Sequence, residues 1–238
     1  MKSSILTITF FFLVTFSTIS QTQQINNSNV KKFISENWKL IQYETGDLNK
    51  DGFEDLVIVI QGTDTSKTII NQGLGYDTLD TNPRTLLVYL YNKETSKFEK
   101  FKESKNIIPS HSFPTMDDPF AGMKIKKGIL EINYYFWYSA GSWYTTEKTY
   151  KFRFQNSDFF LIGIENGSMH RGTMESTGIS VNFLTRKMQI IEYSAPTYDD
   201  NDEEQVEKKE TWLNFTLTNL YKLDEIELFN IKVLNEYL

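Results

Sequence analysis

The sequence predicts a mainly β, antiparallel domain, either a sandwich or a strongly curved sheet, and three observations carry that prediction. Aromatic residues make up 15% of the 238 residues, with Phe and Tyr far ahead of Trp, and such side chains fit the pleated, half-buried surface of a strand. Alternating polar and apolar runs recur along the chain and are punctuated by short polar turns. Residues 56–60, Leu-Val-Ile-Val-Ile, form an uninterrupted apolar run, the pattern of a central strand covered on both faces. An apolar fraction of 39% excludes a disordered chain.

Taken in order, residues 1–20 read as a secretory signal. Lys2 supplies the positive end, residues 5–16 are apolar but short for a bilayer span, and Thr18 and Ser20 suit cleavage before Gln21. The polar residues 21–24 argue against a buried first strand, and with no cysteine in the chain there is no thiol to carry a lipid. The expectation is a secreted or periplasmic protein without a stable membrane anchor, folded without disulfides, in which a structural metal would have added value. A formal charge of −6, with lysines scattered among acids, disfavours nucleic acid.

Residues 21–198 read as the β domain. Val30, Phe33, Ile34 and Trp38 fall at helical spacing behind Asn29, which predicts a short N-terminal helix capped there. Strands are predicted at 39–44, 56–60, 85–91 and 97–102, with irregular stretches at 61–84 and 103–122. A meander follows over 123–127, 129–138, 143–154 and 159–164, turning at Gly128 and at 155–158. In its third strand Tyr144, Thr146, Lys148, Tyr150, Phe152 and Phe154 face one way, and Trp143, Thr145, Glu147, Thr149, Lys151 and Arg153 the other. A further hairpin spans 179–184 and 188–193. Acidic residues crowd 199–210, which reads as a solvated linker. The C-terminal segment, 211–238, begins as a strand, and over 223–238 mixed periodicity suggests a helix followed by an extended end.

One stretch has chemistry at a telling spacing. In residues 46–56, Asp47, Asn49, Asp51, the Phe53 carbonyl and Asp55 present oxygen at alternating positions, and Gly52 permits a sharp turn. Calcium takes six to eight oxygen ligands and is held by loops of this kind. The order follows a helix-loop-helix calcium loop through its ninth position, but the twelfth is Ile58 where a bidentate glutamate belongs, and the flanks are strands. The alternative is an acidic turn capped by its own Asp and Asn side chains. Three carboxylates in one turn repel one another, and a bound cation would reverse that sign.

This stretch resembles the calcium loops of FG-GAP and VCBS-type repeats, with their Asp-x-Asn-x-Asp-Gly-x-x-Asp-Leu pattern over residues 47–56. The resemblance implies calcium as cofactor, with Asp47, Asn49, Asp51, Phe53 and Asp55 as ligands. The motif occurs once, so a propeller of repeats is not implied. Together with residues 139–143, Ser-Ala-Gly-Ser-Trp, and 150–154, Tyr-Lys-Phe-Arg-Phe, the loop also resembles a family of exported bacterial proteins with no assigned activity.

Other constellations are weaker. Residues 134–138 and 143–144 form the densest aromatic cluster, and alternation sends part of it outward, making Tyr135, Trp137 and Trp143 candidates for contact with a glycan or a protein; the bland alternative is that they cover a second layer. His111 and His170 lack a second strong ligand at metal spacing and suit surface or capping roles. Residues 139–142 lack the glycines around a nucleophile elbow. Glu131, Glu147 and Glu192 lie on predicted strands, and a glycosidase would need two of them about 5 to 10 Å apart. Two functions follow from this: an exported, calcium-stabilised, non-catalytic binding module, or a hydrolase acting on a cell-envelope glycan through paired carboxylates.

Overall fold

The computed structural model describes residues 27–199, 203–228 and 231; the signal at 1–20 lies outside them, and the predicted C-terminal helix does not begin where expected, since the described residues 223–228 form turns instead of helix. Helix α1 spans only Asn27–Val30 and runs into a 3-10 turn at Lys31–Phe33. Asn29 therefore sits inside the helix instead of capping it.

Among the described residues fifteen strands follow: β1 Trp38–Gly46, β2 Asp55–Gly62, β3 Thr68–Ile70, β4 Thr78–Asp80, β5 Arg84–Asn92, β6 Lys97–Ser104, β7 Phe120–Lys126, β8 Ile129–Phe136, β9 Tyr144–Gln155, β10 Asp158–His170, β11 Ser176–Asn182, β12 Lys187–Tyr193, β13 Thr197–Tyr198, β14 Glu204–Gln205 and β15 Lys208–Asn214. They form a four-stranded sheet ordered β1-β2-β5-β6, a seven-stranded sheet ordered β15-β12-β11-β10-β9-β8-β7, and two small hairpins, β3-β4 and β13-β14. Every pairing is antiparallel. The mainly β, antiparallel class is thus the observed one.

Two departures from the sequence reading concern stretches of polar residues. The irregular stretch at 61–84 contains the β3-β4 hairpin. The acidic stretch at 199–210 contains β14 and the first residues of β15, where Glu210 lies opposite Ile191 and Lys209 opposite Glu192. Edge pairing recruits backbone groups whatever the side chains carry, so composition alone hid this strand.

The large sheets share one core. Val57 and Val59 of β2 and Leu86 and Val88 of β5 meet Leu130, Ile132, Tyr150, Phe152, Leu161 and Ile164 of β8 to β10, and each fully buried apolar side chain contributes about 1.5–3 kcal/mol. The opposite face of β2, Leu56, Ile58 and Ile60, is covered by Val30, Phe33, Ile34 and Trp38 from the N-terminal segment. That is why β2 reads as an unbroken apolar run. Two-residue turns close the meander, with positive φ at Lys127 and Gly128 and at Asn156 and Ser157, the twist that antiparallel strands accept best. Where the two sheets adjoin at β1 and β7, the Gln42 amide plays the part of a backbone unit: its Nε2 donates to the Met123 carbonyl at 2.8 Å and its Oε1 accepts from the Met123 N–H at 3.0 Å.

Candidate functional site

The acidic loop joins β1 to β2 and is organised by its own side chains. Asp47 accepts from the N–H groups of Asp51 at 3.2 Å and Gly52 at 3.0 Å. Asn49 Oδ1 accepts from Asp51 N–H, its Nδ2 donates to Asp51 Oδ2, and Asp51 Oδ1 accepts from Phe53 N–H at 2.9 Å. Lys50 and Gly52 take positive φ, 65° and 90°, so the chain reverses tightly, and at Gly52 it does so without a Cβ to resist it. The Phe53 ring stacks on Tyr91 with centroids 5.4 Å apart.

Asp55 differs from the other acids. It is fully buried, its Oδ2 accepts from Leu48 N–H at 2.9 Å and Asn49 N–H at 3.3 Å, and its Oδ1 accepts from Tyr91 N–H at 3.0 Å. One carboxylate thereby ties the loop to the start of β2 and to the far end of β5. Burial pushes its pKa up to about 6, against the pull of those three N–H donors and with help from the charge of Asp51.

For a hard cation the donor chemistry fits: Asp47, Asn49 and Asp51 offer only oxygen, and each carboxylate keeps lone pairs beyond those its N–H bonds use. Among the described residues, however, no three Asp, Glu, His or Cys side chains are drawn together as a metal cage. The loop stands on hydrogen bonds, and Asp55, the buried member, is turned to the backbone.

The Gly128 turn at the start of β8 lies against this loop, beside the Asp47 carbonyl, and at the other end of β8, about 24 Å away at 3.4 Å per residue, lies the aromatic region. Trp143 is 66% and Tyr144 52% exposed, and His170 packs between them with centroids at 6.2 and 4.9 Å. Arg171 locks this corner: its guanidinium donates to the carbonyls of Tyr138 at 2.8 Å and Ser142 at 2.6 Å, and it lies 5.1 Å over the Trp137 ring. Tyr135 is half-buried on the outer face, opposite Glu147. Of the three aromatic candidates, then, Trp143 is open to a partner, Trp137 is roofed by Arg171, and Tyr135 stands apart on the sheet. Arg171, which holds the corner, carries no sequence signal, because its partners are carbonyls about 30 positions away.

The candidate carboxylates do not pair. Glu131 and Glu147 share the outer face, but Glu131 lies opposite Lys151, four residues and so about 13 Å along the strand from Glu147. Glu192 pairs in register with Thr177 and Lys209, in the row of Thr146 and Ser168, on the opposite face. It lines an open pocket of about 430 Å³ with Glu175, Glu207, Lys208 and Lys209, and Lys209 holds it at 2.7 Å. His111 meets the Met116 carbonyl at 2.6 Å and His170 Nδ1 accepts from Thr173 N–H at 3.0 Å.

Comparison with protein-family models, with curated proteins and with solved structures finds no match to this chain.

Proposed function

We propose that the protein is an exported, non-catalytic binding module, secreted or periplasmic, in which calcium held by Asp47, Asn49, Asp51, Phe53 and Asp55 stabilises one end and the aromatic corner at the other end contacts a glycan or a protein. The observation that carries this reading is the exposure of Trp143 and Tyr144 on a corner fixed by Arg171. Exposed rings held rigid lose little conformational freedom on contact, which is what a binding surface needs. The outer and inner placement of Glu147 and Glu192 works against the hydrolase alternative, since two facing carboxylates are its requirement.

Calcium bound only by the folded state stabilises it by RT ln(1 + [L]/Kd), about 2.7 kcal/mol at one hundred times Kd. The test uses the chain from Gln21 onward in millimolar calcium and in chelator. Thermal unfolding is expected to shift upward by several degrees with calcium in the wild type and not in Asp51→Ala; an unchanged wild-type midpoint removes the calcium part. The same samples, screened for binding to cell-envelope glycans and exported proteins, are expected to lose retained binding in Trp143→Ala, and a hit indifferent to that change removes the aromatic corner as the contact.

A further inference from the structure

The outer face of the four-stranded sheet carries one polar side chain in an apolar setting. Phe33, Ile34 and Trp38 of the N-terminal segment pack over Leu56, Ile58 and Ile60 of β2. Alternation turns Tyr89, Leu87 and Thr85 of β5 to the same side, opposite Leu56, Ile58 and Ile60 in that order. A threonine therefore stands where its neighbours Ile60 and Leu87 are apolar. Thr85 is 4% exposed, and among the described residues its hydroxyl has no hydrogen-bond partner. A buried hydroxyl left unbonded is destabilising, and a native site that keeps one has a reason for it. Ser104 Oγ and Asn166 Oδ1 are orphaned as well, but both are sealed from solvent. Thr85 instead lines a cavity.

That cavity measures about 390 Å³, within the usual range of small-molecule sites. Thr85, Ile60 and Leu87 form its floor on the sheet, and Phe33, Trp38 and Tyr89 line it with rings. These walls are fixed. The Phe33 ring packs on Tyr89 with centroids 4.9 Å apart and meets Phe98 edge-on at 5.8 Å. The Asn37 carbonyl, one residue before Trp38, accepts from Thr63 N–H at 2.9 Å, and Gly62 N–H donates at 3.0 Å to the carbonyl of Pro83, which also lines the cavity. At the rim, Glu103 engages Lys100 at 2.8 Å and Lys105 at 3.5 Å, so one carboxylate serves two ammoniums and a single positive charge is in excess.

The rings and the aliphatic floor call for a flat apolar body, and the Thr85 hydroxyl calls for one hydrogen-bonding group on it. The rim speaks against either charge: a cation meets the excess positive charge, and an anion finds both ammoniums already engaged by Glu103. Burial pushes the Tyr89 phenol up, which keeps that wall neutral. A peptide segment is a poor fit, because its backbone would bring several polar groups to a floor that offers one hydroxyl. We propose that this cavity binds a small neutral alcohol with an aromatic body, its ring among Phe33, Trp38 and Tyr89 and its hydroxyl bonded to Thr85 Oγ1. The site shares no residue with the acidic loop or the Trp143 corner and does not rest on the function proposed above.

The probe is phenethyl alcohol, against phenethylamine, which puts an ammonium in place of the hydroxyl, and against the blocked amino acid N-acetyl-phenylalaninamide. All three are titrated into the protein by calorimetry and by NMR shift mapping. The alcohol is expected to saturate below about 10 mM with shifts at Thr85, Leu87 and Tyr89, and the amine to bind about ten-fold or more weakly. Thr85→Val, which keeps the shape and removes the hydroxyl, is expected to weaken the alcohol about five- to ten-fold with a thermal midpoint unchanged or higher. Thr85→Ser is expected to retain most of the affinity, and Trp143→Ala all of it. Equal binding of alcohol and amine, indifference to Thr85→Val, shifts confined to other residues, or no saturation overturns the proposal. Tighter binding of N-acetyl-phenylalaninamide gives the groove to a peptide and overturns it as well. So does a Thr85→Val chain that unfolds at lower temperature or fails to fold, because the hydroxyl would then have had a structural partner.

Discussion

The loop over 46–56 and the segment over 109–119 lie at opposite ends of the molecule and are pinned by the same device with opposite electrostatics. Each is irregular chain fixed by a carboxylate whose tie reaches a distant element: Asp55 reaches Tyr91, 36 positions on, and Asp118 reaches Arg84, 34 positions back. Asp55 has only N–H dipoles as partners and is fully buried, and its pKa rises to about 6. Asp118 also loses hydration, but the guanidinium of Arg84, with help from Phe120 N–H, outweighs that loss and holds its carboxyl below the ordinary range. Burial without a counter-charge weakens an acid, whereas a bidentate cation restores it.

The comparison breaks most sharply at Asp55. Asp55→Asn keeps the shape but turns one acceptor oxygen into a donor facing the N–H of either Tyr91 or Leu48, so a buried clash of donors follows. A loss of about 2–3 kcal/mol at pH 7 is expected in urea unfolding, and a loss under about 0.5 kcal/mol would mean the tie is dispensable. At the other end, Arg84→Met leaves Asp118, which is 46% exposed on its side chain, free to hydrate. The expected loss is smaller, about 1–2 kcal/mol, and local, read as faster amide exchange over 109–119 with the 46–56 loop unaffected.

Acidity separates the two ends by sign. A carboxyl whose folded pKa lies above its unfolded value costs stability once both states are ionised, and that cost is relieved as pH falls from about 6 toward 3.8. Asp118 contributes stability that is fully present above its unfolded pKa and is lost as pH falls through its depressed folded value. Measured in chelator, unfolding free energy is therefore expected to rise between pH 7 and about 4 by roughly 1–2 kcal/mol, discounted for the exposed loop around Asp55, and to fall below that. In Asp55→Asn the rise should vanish while the acid fall remains. A wild type that only loses stability on acidification would show that the N–H bonds to Asp55 outweigh its burial.

Much of this architecture was legible in the chain, because alternation and turn residues are local signals. The hairpins at Gly128 and at Asn156-Ser157 were read from their own residues, and the unbroken run at 56–60 correctly implied cover on both faces of β2. Alternation even placed Lys148 on the side of Tyr150 and Phe152. What it withheld was the surroundings of Lys148, since Asn166 lies on the next strand and the 109–119 segment packs over that end of the sheet. The acidic loop shows the same limit in small. Spacing marks Asp55 as an oxygen donor, but whether its lone pairs meet a cation or backbone depends on Tyr91, which no local pattern connects to it. Short-range propensity also failed at Asn29 and at 208–210, where packing and edge pairing overrode the residues' own preferences.

The Gln42 amide that links β1 to β7 has a consequence for how copies of this chain treat one another. An edge strand presents free N–H and C=O groups to any other strand it meets. By spending its side chain on the Met123 backbone, Gln42 leaves two edges engaged with each other. The remaining edges of the two large sheets, β6 and β15, carry Lys97, Lys100 and Lys102 and Lys208 and Lys209, and edge lysines disfavour pairing with a further strand. A chain rich in Val, Ile, Phe and Tyr strands thus offers other chains few uncharged sheet margins on which to add a strand.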